Sequence, residues 1–241
     1  MEVFIAFAIL IALTTKNDRR LAAILAKSRA DWLLDSIGLF FQGILIPLLQ
    51  ITVVYQIYSY LLPAAYGYWN CHPVIAFLLS FVFVDYLYYW NHRLLHSPWL
   101  WPLHQVHHTM TDRDVLGTSR NSLWTSFLII YLWIHALFIY LLQDPTWYIA
   151  GVSLTSALDL WRHSEIDLEI TWLHRLLSPV LILPQDHGWH HAKNEINRHN
   201  YGANLKIWDW LHGTYYQSDR SPETLGIETN LTLFQKLVWP F

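Results

Sequence analysis

Long apolar runs broken by short polar clusters set the pattern of this chain. Residues 34–62, 74–90 with their flanks, and 123–142 are apolar over roughly the 20 positions that a helix needs to cross a hydrocarbon core about 30 Å thick. Residues 145–161 form a shorter run that carries Asp159 near its end, and residues 3–13 a shorter one still. The latter has no basic n-region and no obvious cleavage site, so it reads as an uncleaved anchor or partial span, not a signal peptide. The pattern predicts an all-α protein. It is an integral-membrane helical bundle of about four transmembrane helices plus a short N-terminal apolar helix, with a cytosolic helical cap. The tail after His191 is more polar and reads as cap plus a short extension. No linker or low-complexity segment divides the chain, so residues 1–241 are expected to form a single membrane domain.

Composition strengthens the membrane reading. Hydrophobic residues make up 54% and charged residues 14%, against about 25% charged in a soluble domain. Mean hydropathy is +0.24. Lys16, Arg19, Arg20, Lys27 and Arg29 lie between the first two apolar runs. Arg93, Arg113 and Arg120 lie between the third and fourth, and Arg162 follows the fifth. The opposite connections, residues 63–73 and 143–145, hold no Lys or Arg. The positive-inside rule makes the basic side cytoplasmic. A net charge of -3 argues against nucleic acid as a partner. Cys71 stands alone, which excludes an internal disulfide and a thiolate zinc site.

The polar clusters on that basic side carry the chemistry. Eight of fourteen histidines fall in three of them: His92 and His96; His104, His107 and His108; His187, His190 and His191. Histidine is the commonest metal ligand, and residues three or four apart share a helix face. Each cluster therefore aims imidazoles at one point. The three together predict a histidine-rich site for two neighbouring metal ions, with one residue of each His-His pair turned to a different ion. Imidazole suits zinc, copper, iron and nickel alike, so ligand type does not name the metal.

Other polar residues near the helix ends extend the site. His163 stands at the end of the fifth run and is read as a further ligand. Asp159, four residues earlier, either ligates or orients a ligand imidazole as its carboxylate partner. Glu165 competes locally from a more solvated place. Asp85 shares a helix face with His92 and either bonds a ligand imidazole or is a buried structural group. Asp209 is a similar hydrogen-bonding candidate. Arg162 either pairs with Asp159 or Glu165 or snorkels to the interface. His135, midway in the fourth run, is read as hydrogen-bonded inside the bundle in preference to lining a cavity. His174, His199 and His212 fall outside the repeated spacing, with His199 the best placed spare ligand. His72 lies on the opposite side.

Asp85, Tyr89-Trp90-Asn91-His92-Arg93, His96, His104-Gln105-Val106-His107-His108, His163-Ser164, His187-Gly188-Trp189-His190-His191, Asn200-Tyr201-Gly202, Trp208-Asp209 and Gly213-Thr214-Tyr215 form a specific set. With them the chain resembles the fatty acid hydroxylase superfamily, which includes sterol desaturases and sterol C4-methyl oxidases. The resemblance covers a catalytic region of residues 74–215. It implies two iron ions held by His92, His96, His104, His107, His108, His163, His187, His190 and His191, with Asp159 as a further candidate. It implies dioxygen as co-substrate and a lipid substrate drawn from the bilayer. Zinc can replace iron in purified protein. No cytochrome b5 domain lies in the sequence, so a separate electron donor is expected, such as cytochrome b5 or a ferredoxin. The chain departs from the family pattern at Arg120-Asn121-Ser122, at His199, at His212 and at Asp159.

The expected function is O2-dependent hydroxylation of a fatty acyl, sterol or related lipid, ahead of desaturation or methyl oxidation on the same centre. The reading from another class is a non-catalytic zinc-binding membrane protein. A structural zinc site closes with four ligands, and nine histidines exceed that need. The brevity of the chain and its lack of an endoplasmic-reticulum retrieval tail favour a bacterial inner membrane over the endoplasmic reticulum.

Overall fold

A computed structural model describes residues 2–166, 171–193, 198–218 and 220–241. Among these residues the chain is all helix and loop, with three isolated β-bridges and no sheet. Among the described residues three helices are long and apolar enough to cross a membrane: Arg29–Leu61, Pro73–Leu95 and Leu123–Leu141. They are called here the first, second and third spans. Thr146–Arg162 is a 17-residue helix of mixed character, and Glu2–Thr15 a shorter, apolar N-terminal one. Three helices rather than about four thus meet the length requirement. Thr146–Arg162 is shorter, and Arg162 and His163 at its C-terminal end are buried.

The lipid-facing surface is legible in the first span. Phe40, Ile44, Leu48 and Ile51, spaced three or four apart, are 50–61% exposed and form an apolar stripe. An exposed stripe of this kind is stable only against lipid or a partner. Pro47 lacks an N–H and crowds the preceding turn. The helix accommodates it by widening to a π-type turn over Phe41–Leu45, which brings Gln42 to the protein interior.

The third span is broken. Its backbone leaves the helix at Ile129, whose ψ of 121° is extended, and resumes at Tyr131. Freed backbone groups at this depth need partners. Asn91 of the second span supplies both: its Nδ2 donates to the Leu128 carbonyl at 3.0 Å, and its Oδ1 accepts from the Ile130 N–H at 3.1 Å. Packing between the second span and Thr146–Arg162 is close because Gly151 lies against Ser80 and the Phe77 carbonyl, where any Cβ would collide.

Connectivity sets one polar end. The second span runs toward it and ends in Leu95–His96; the third starts from it at Leu123; Thr146–Arg162 returns to it. The opposite ends are tied together by Trp69, which bonds the backbone of Leu141 and Gln143. A salt-bridge network fastens the N-terminal segment to the polar end. Lys27 bridges Asp35 and Asp114, each at 2.6 Å, and Arg120 clamps both carboxylate oxygens of Asp35 at 2.6 and 3.0 Å.

Candidate metal centre

Local helix geometry places the imidazoles. His92 lies in the last turn of the second span and His96 caps it. His104 ends a single turn that begins at Trp101, and His107 and His108 open the next. His187 and His190 lie on the helix Pro184–His190, with His191 at its C-cap. His163 caps Thr146–Arg162.

All nine converge, in two groups. His92, His96, His104, His108 and His190 form one; His107, His163, His187 and His191 form the other. Within each group every residue offers a nitrogen lying within 4.8 Å of the others. Both His-His pairs split between the groups, as the spacing suggested. The groups touch: the rings of His108 and His191 stack with centroids 4.6 Å apart, and those of His104 and His107 at 5.4 Å.

Tautomers decide what the convergence means. Four of the nine have Nδ1 against a main-chain carbonyl: His92 on Tyr201 at 2.9 Å, His107 on Arg120 at 3.1 Å, His163 on Asp159 at 2.8 Å and His190 on His199 at 2.8 Å. A carbonyl only accepts, so each Nδ1 carries the proton and each Nε2 presents a lone pair. His163 and His107 then face each other Nε2 to Nε2 at 3.2 Å. Two lone pairs at that distance repel unless a cation sits between them. The Nε2–Nε2 contacts His92–His104 at 3.1 Å, His187–His163 at 3.0 Å and His191–His187 at 3.1 Å bring further ring nitrogens together at similar separations, with Nδ1 of His104, His187 and His191 left unpartnered. Nε2 of His96, His108 and His190 is buried with no partner. Ligands about 2.0–2.1 Å from one ion stand roughly 3.3 Å apart in tetrahedral geometry, close to these separations. The donor set therefore fits a pair of imidazole-binding cations.

Burial favours neutral imidazoles. It pushes His104, His108, His187, His190 and His191 well below the ordinary value, with the neighbouring imidazoles adding to the shift. His107 falls to about 3 for the same reasons, burial first and His163 next. Neutral imidazole is the metal-binding form.

The predicted supporting residues act less directly than expected. Asp85 bonds no imidazole. Its carboxylate accepts from the N–H groups of Asn204 and Leu205 and from the Trp208 indole, because these line up over the second span when the 200–209 segment folds back. Asp209 likewise bonds none of the nine clustered imidazoles, and accepts from the N–H of Tyr201 and Gly202 and from the Thr214 hydroxyl. Burial, opposed by these bonds, raises Asp209 to about 6. Both carboxylates hold the loop whose Tyr201 carbonyl orients His92. His199 serves through its carbonyl, while its ring packs near Tyr216.

Asp159 contributes no oxygen to either histidine group. Its carboxylate pairs with Arg162 at 2.9 Å and stands 3.4 Å from His163 Nδ1, while the closer Asp159 main-chain carbonyl takes the Nδ1 proton and orients the ring. Arg162 is buried, not snorkelling, and also donates to the Ala203 carbonyl. Glu165 pairs with Arg20. His135 bonds the Tyr148 hydroxyl at 2.9 Å inside the bundle. His212 stacks on Tyr86 and Tyr89, His174 lines a separate pocket, and His72 caps the far end of the second span.

Sequence reasoning missed Tyr201, Arg120 and Asn91 as supports. Only Asn200-Tyr201-Gly202 left a readable signal. Asn200 sits at φ 57°, a conformation Asn tolerates, and its side chain bonds the backbone of Asp186 and Tyr216. Gly202 lies so close to Leu205 O and Asp209 Oδ2 that a Cβ would force them apart. Beside the histidines, Gln42, Asn121, Tyr131, Asp159 and Arg162 help enclose a cavity of about 110 Å3.

The architecture is that of a helical integral membrane protein with a paired histidine centre at one polar end. The chain belongs to the Fatty acid hydroxylase family, whose model matches residues 77–214. Human alkylglycerol monooxygenase is 28% identical over 162 residues, covering 66% of this chain and 34% of that protein. The ornithine lipid hydroxylase OlsE of Rhizobium tropici is 31% identical over 166 residues, covering 66% and 48%. The fatty acid hydroxylase vlmA of Lecanicillium sp is 30% identical over 184 residues, covering 70% and 45%. The chain thus spans between a third and a half of these relatives' lengths. No solved structure matches it significantly.

Proposed function

We propose that this protein is a membrane lipid hydroxylase that uses two iron ions, dioxygen and electrons from a separate carrier protein. The observation that carries the reading is the Nε2-to-Nε2 approach of His107 and His163 with both Nδ1 atoms bound to carbonyls. The nine histidines are the proposed ligands, five for one ion and four for the other. Relatives named as lipid hydroxylases and monooxygenases support the reaction class.

Bound iron would supply the activation of dioxygen for attack on an unactivated C–H bond. In overall balance the substrate C–H, one O2, two electrons and two protons give C–OH and one water. The chain's own residues perform the rest. The four main-chain carbonyls fix ring orientation without adding negative charge. The Asp159–Arg162 pair stands beside His163 at the cavity. The apolar spans exclude water and let a lipid enter from the bilayer. By the positive-inside rule the histidine end faces the cytoplasm.

The test joins metal analysis to lipid analysis. Protein purified from cells should hold two ions per chain and consume oxygen when reduced. Cells carrying the gene should show one lipid class heavier by one oxygen atom. Redox-inactive zinc in cell-made protein, with no oxygen uptake on any lipid, would leave the zinc-binding alternative standing.

A further inference from the structure

The cavity beside the histidines is small. A cavity of about 150 Å3 accommodates one benzene molecule, so about 110 Å3 admits only a few heavy atoms. Only a short part of a lipid fits here, and its remaining length stays in the bilayer.

The wall is mixed. Apolar Leu95, Ile129 and Ala203 line it together with polar groups that include Gln42, Asn121 and Tyr131. Most have partners: Gln42 bonds Ser126 at 2.7 Å, and Asp159 pairs with Arg162. Asn121 and Tyr131 differ. Asn121 is 9% exposed, and its Oδ1 is buried with no hydrogen-bond partner. The Tyr131 hydroxyl is likewise buried and unpartnered. The Tyr131 ring is held between Tyr88 and His135, stacked at 4.7 and 4.9 Å, so its hydroxyl is fixed in place. An unpaired buried polar group costs about 1–3 kcal/mol. A ligand oxygen removes that cost, and a methyl group does not.

We propose that Asn121 and Tyr131 are specificity-determining residues that read an oxygen-bearing head of the lipid. A hydroxyl there donates to Asn121 Oδ1 and accepts from the Tyr131 O–H. The cavity then places the oxidised carbon within a few bonds of that oxygen, not at the methyl end or in mid-chain. This rests on the hydroxylase reading. The C–H bond broken is on that carbon, one oxygen atom of O2 is inserted, and the other leaves as water, with two electrons delivered one at a time by the carrier and two protons taken from solvent.

Binding tests the proposal without turnover. The full chain in nanodiscs, kept anaerobic, is titrated with radiolabelled 1-hexadecanol and with hexadecane, and protein-free nanodiscs are subtracted. The wild type should prefer the alcohol by about tenfold, equivalent to about 1.4 kcal/mol. Asn121→Leu and Tyr131→Phe should each shrink the preference, and the double variant should abolish it. Metal content is measured on the same samples to show that each variant keeps its centre. Equal binding of the two probes by the wild type, or a preference unchanged in Tyr131→Phe, would overturn the proposal. A wild type that shows the preference but binds no metal would instead remove the hydroxylase reading.

Discussion

The Nδ1 of His92 stands 2.9 Å from the carbonyl oxygen of Tyr201, 109 positions further along the chain. That carbonyl, not a carboxylate side chain, orients the imidazole. The Tyr201 backbone is held in turn by Asp209.

Asp209→Ala should therefore act on the metal at a distance. It leaves the N–H groups of Tyr201 and Gly202 and the Thr214 hydroxyl without their acceptor, at about 1–3 kcal/mol each. Thermal unfolding should occur at lower temperature. Metal per chain should fall toward one ion, lost from the group containing His92. Retention of both ions at an unchanged melting temperature would count against this linkage.

His107→Ala should abolish oxygen-dependent activity and lower metal occupancy, because His107 belongs to the four-histidine group. His72→Ala should do neither, since His72 caps the opposite end of the second span. Equal loss in both variants would undo the site assignment.

Asn91→Leu should destabilise the bundle by a few kcal/mol. It removes the side-chain partners of the broken backbone at Leu128 and Ile130 within an apolar span. Unfolding in nanodiscs measures the cost. A change within about 0.5 kcal/mol, the range typical of neutral surface substitutions, would mean that the break has other support.

Lys27→Met should cost about 3–5 kcal/mol, because it strips the shared cation from the buried carboxylates of Asp35 and Asp114. Denaturant unfolding would read it. Arg120 still faces Asp35, so Asp114 should bear most of the loss.

The metal-free protein should lose stability on acidification. Burial depresses the folded-state pKa of the clustered histidines, so below the unfolded value of about 6.5 the unfolded chain binds more protons. Stability is then full above about pH 6.5 and declines as pH falls, over a window reaching about 3 for His107. Added metal should hold the melting temperature flat further into acid. A metal-free protein insensitive to pH between 7 and 5 would contradict the burial of these rings.

Much of the architecture was legible because it is local. Apolar runs announced the three spans, and the i, i+3 and i, i+4 spacing announced which imidazoles share a face. His163 was readable as a helix-end histidine. Asp85 and Asp209 were readable as buried carboxylates but not in their roles, since a carboxylate's partner depends on what folds over it. The roles of Tyr201 and Arg120 in orienting His92 and His107 were not readable, because each acts through a carbonyl that every residue possesses. The break at Ile129 lay hidden inside an apolar run, and its support comes from side chains elsewhere, Asn91 on another span and Trp133 beyond the break.

The order of side chains along each helix was thus enough to determine a helical membrane protein whose histidines gather at one polar end. Helix period and hydrophobicity are properties of neighbouring residues. Tertiary structure alone decided which carbonyl holds each ring, where the third span breaks and which polar groups face the cavity. Those contacts join segments up to 109 residues apart, and what they pair depends on how whole helices pack.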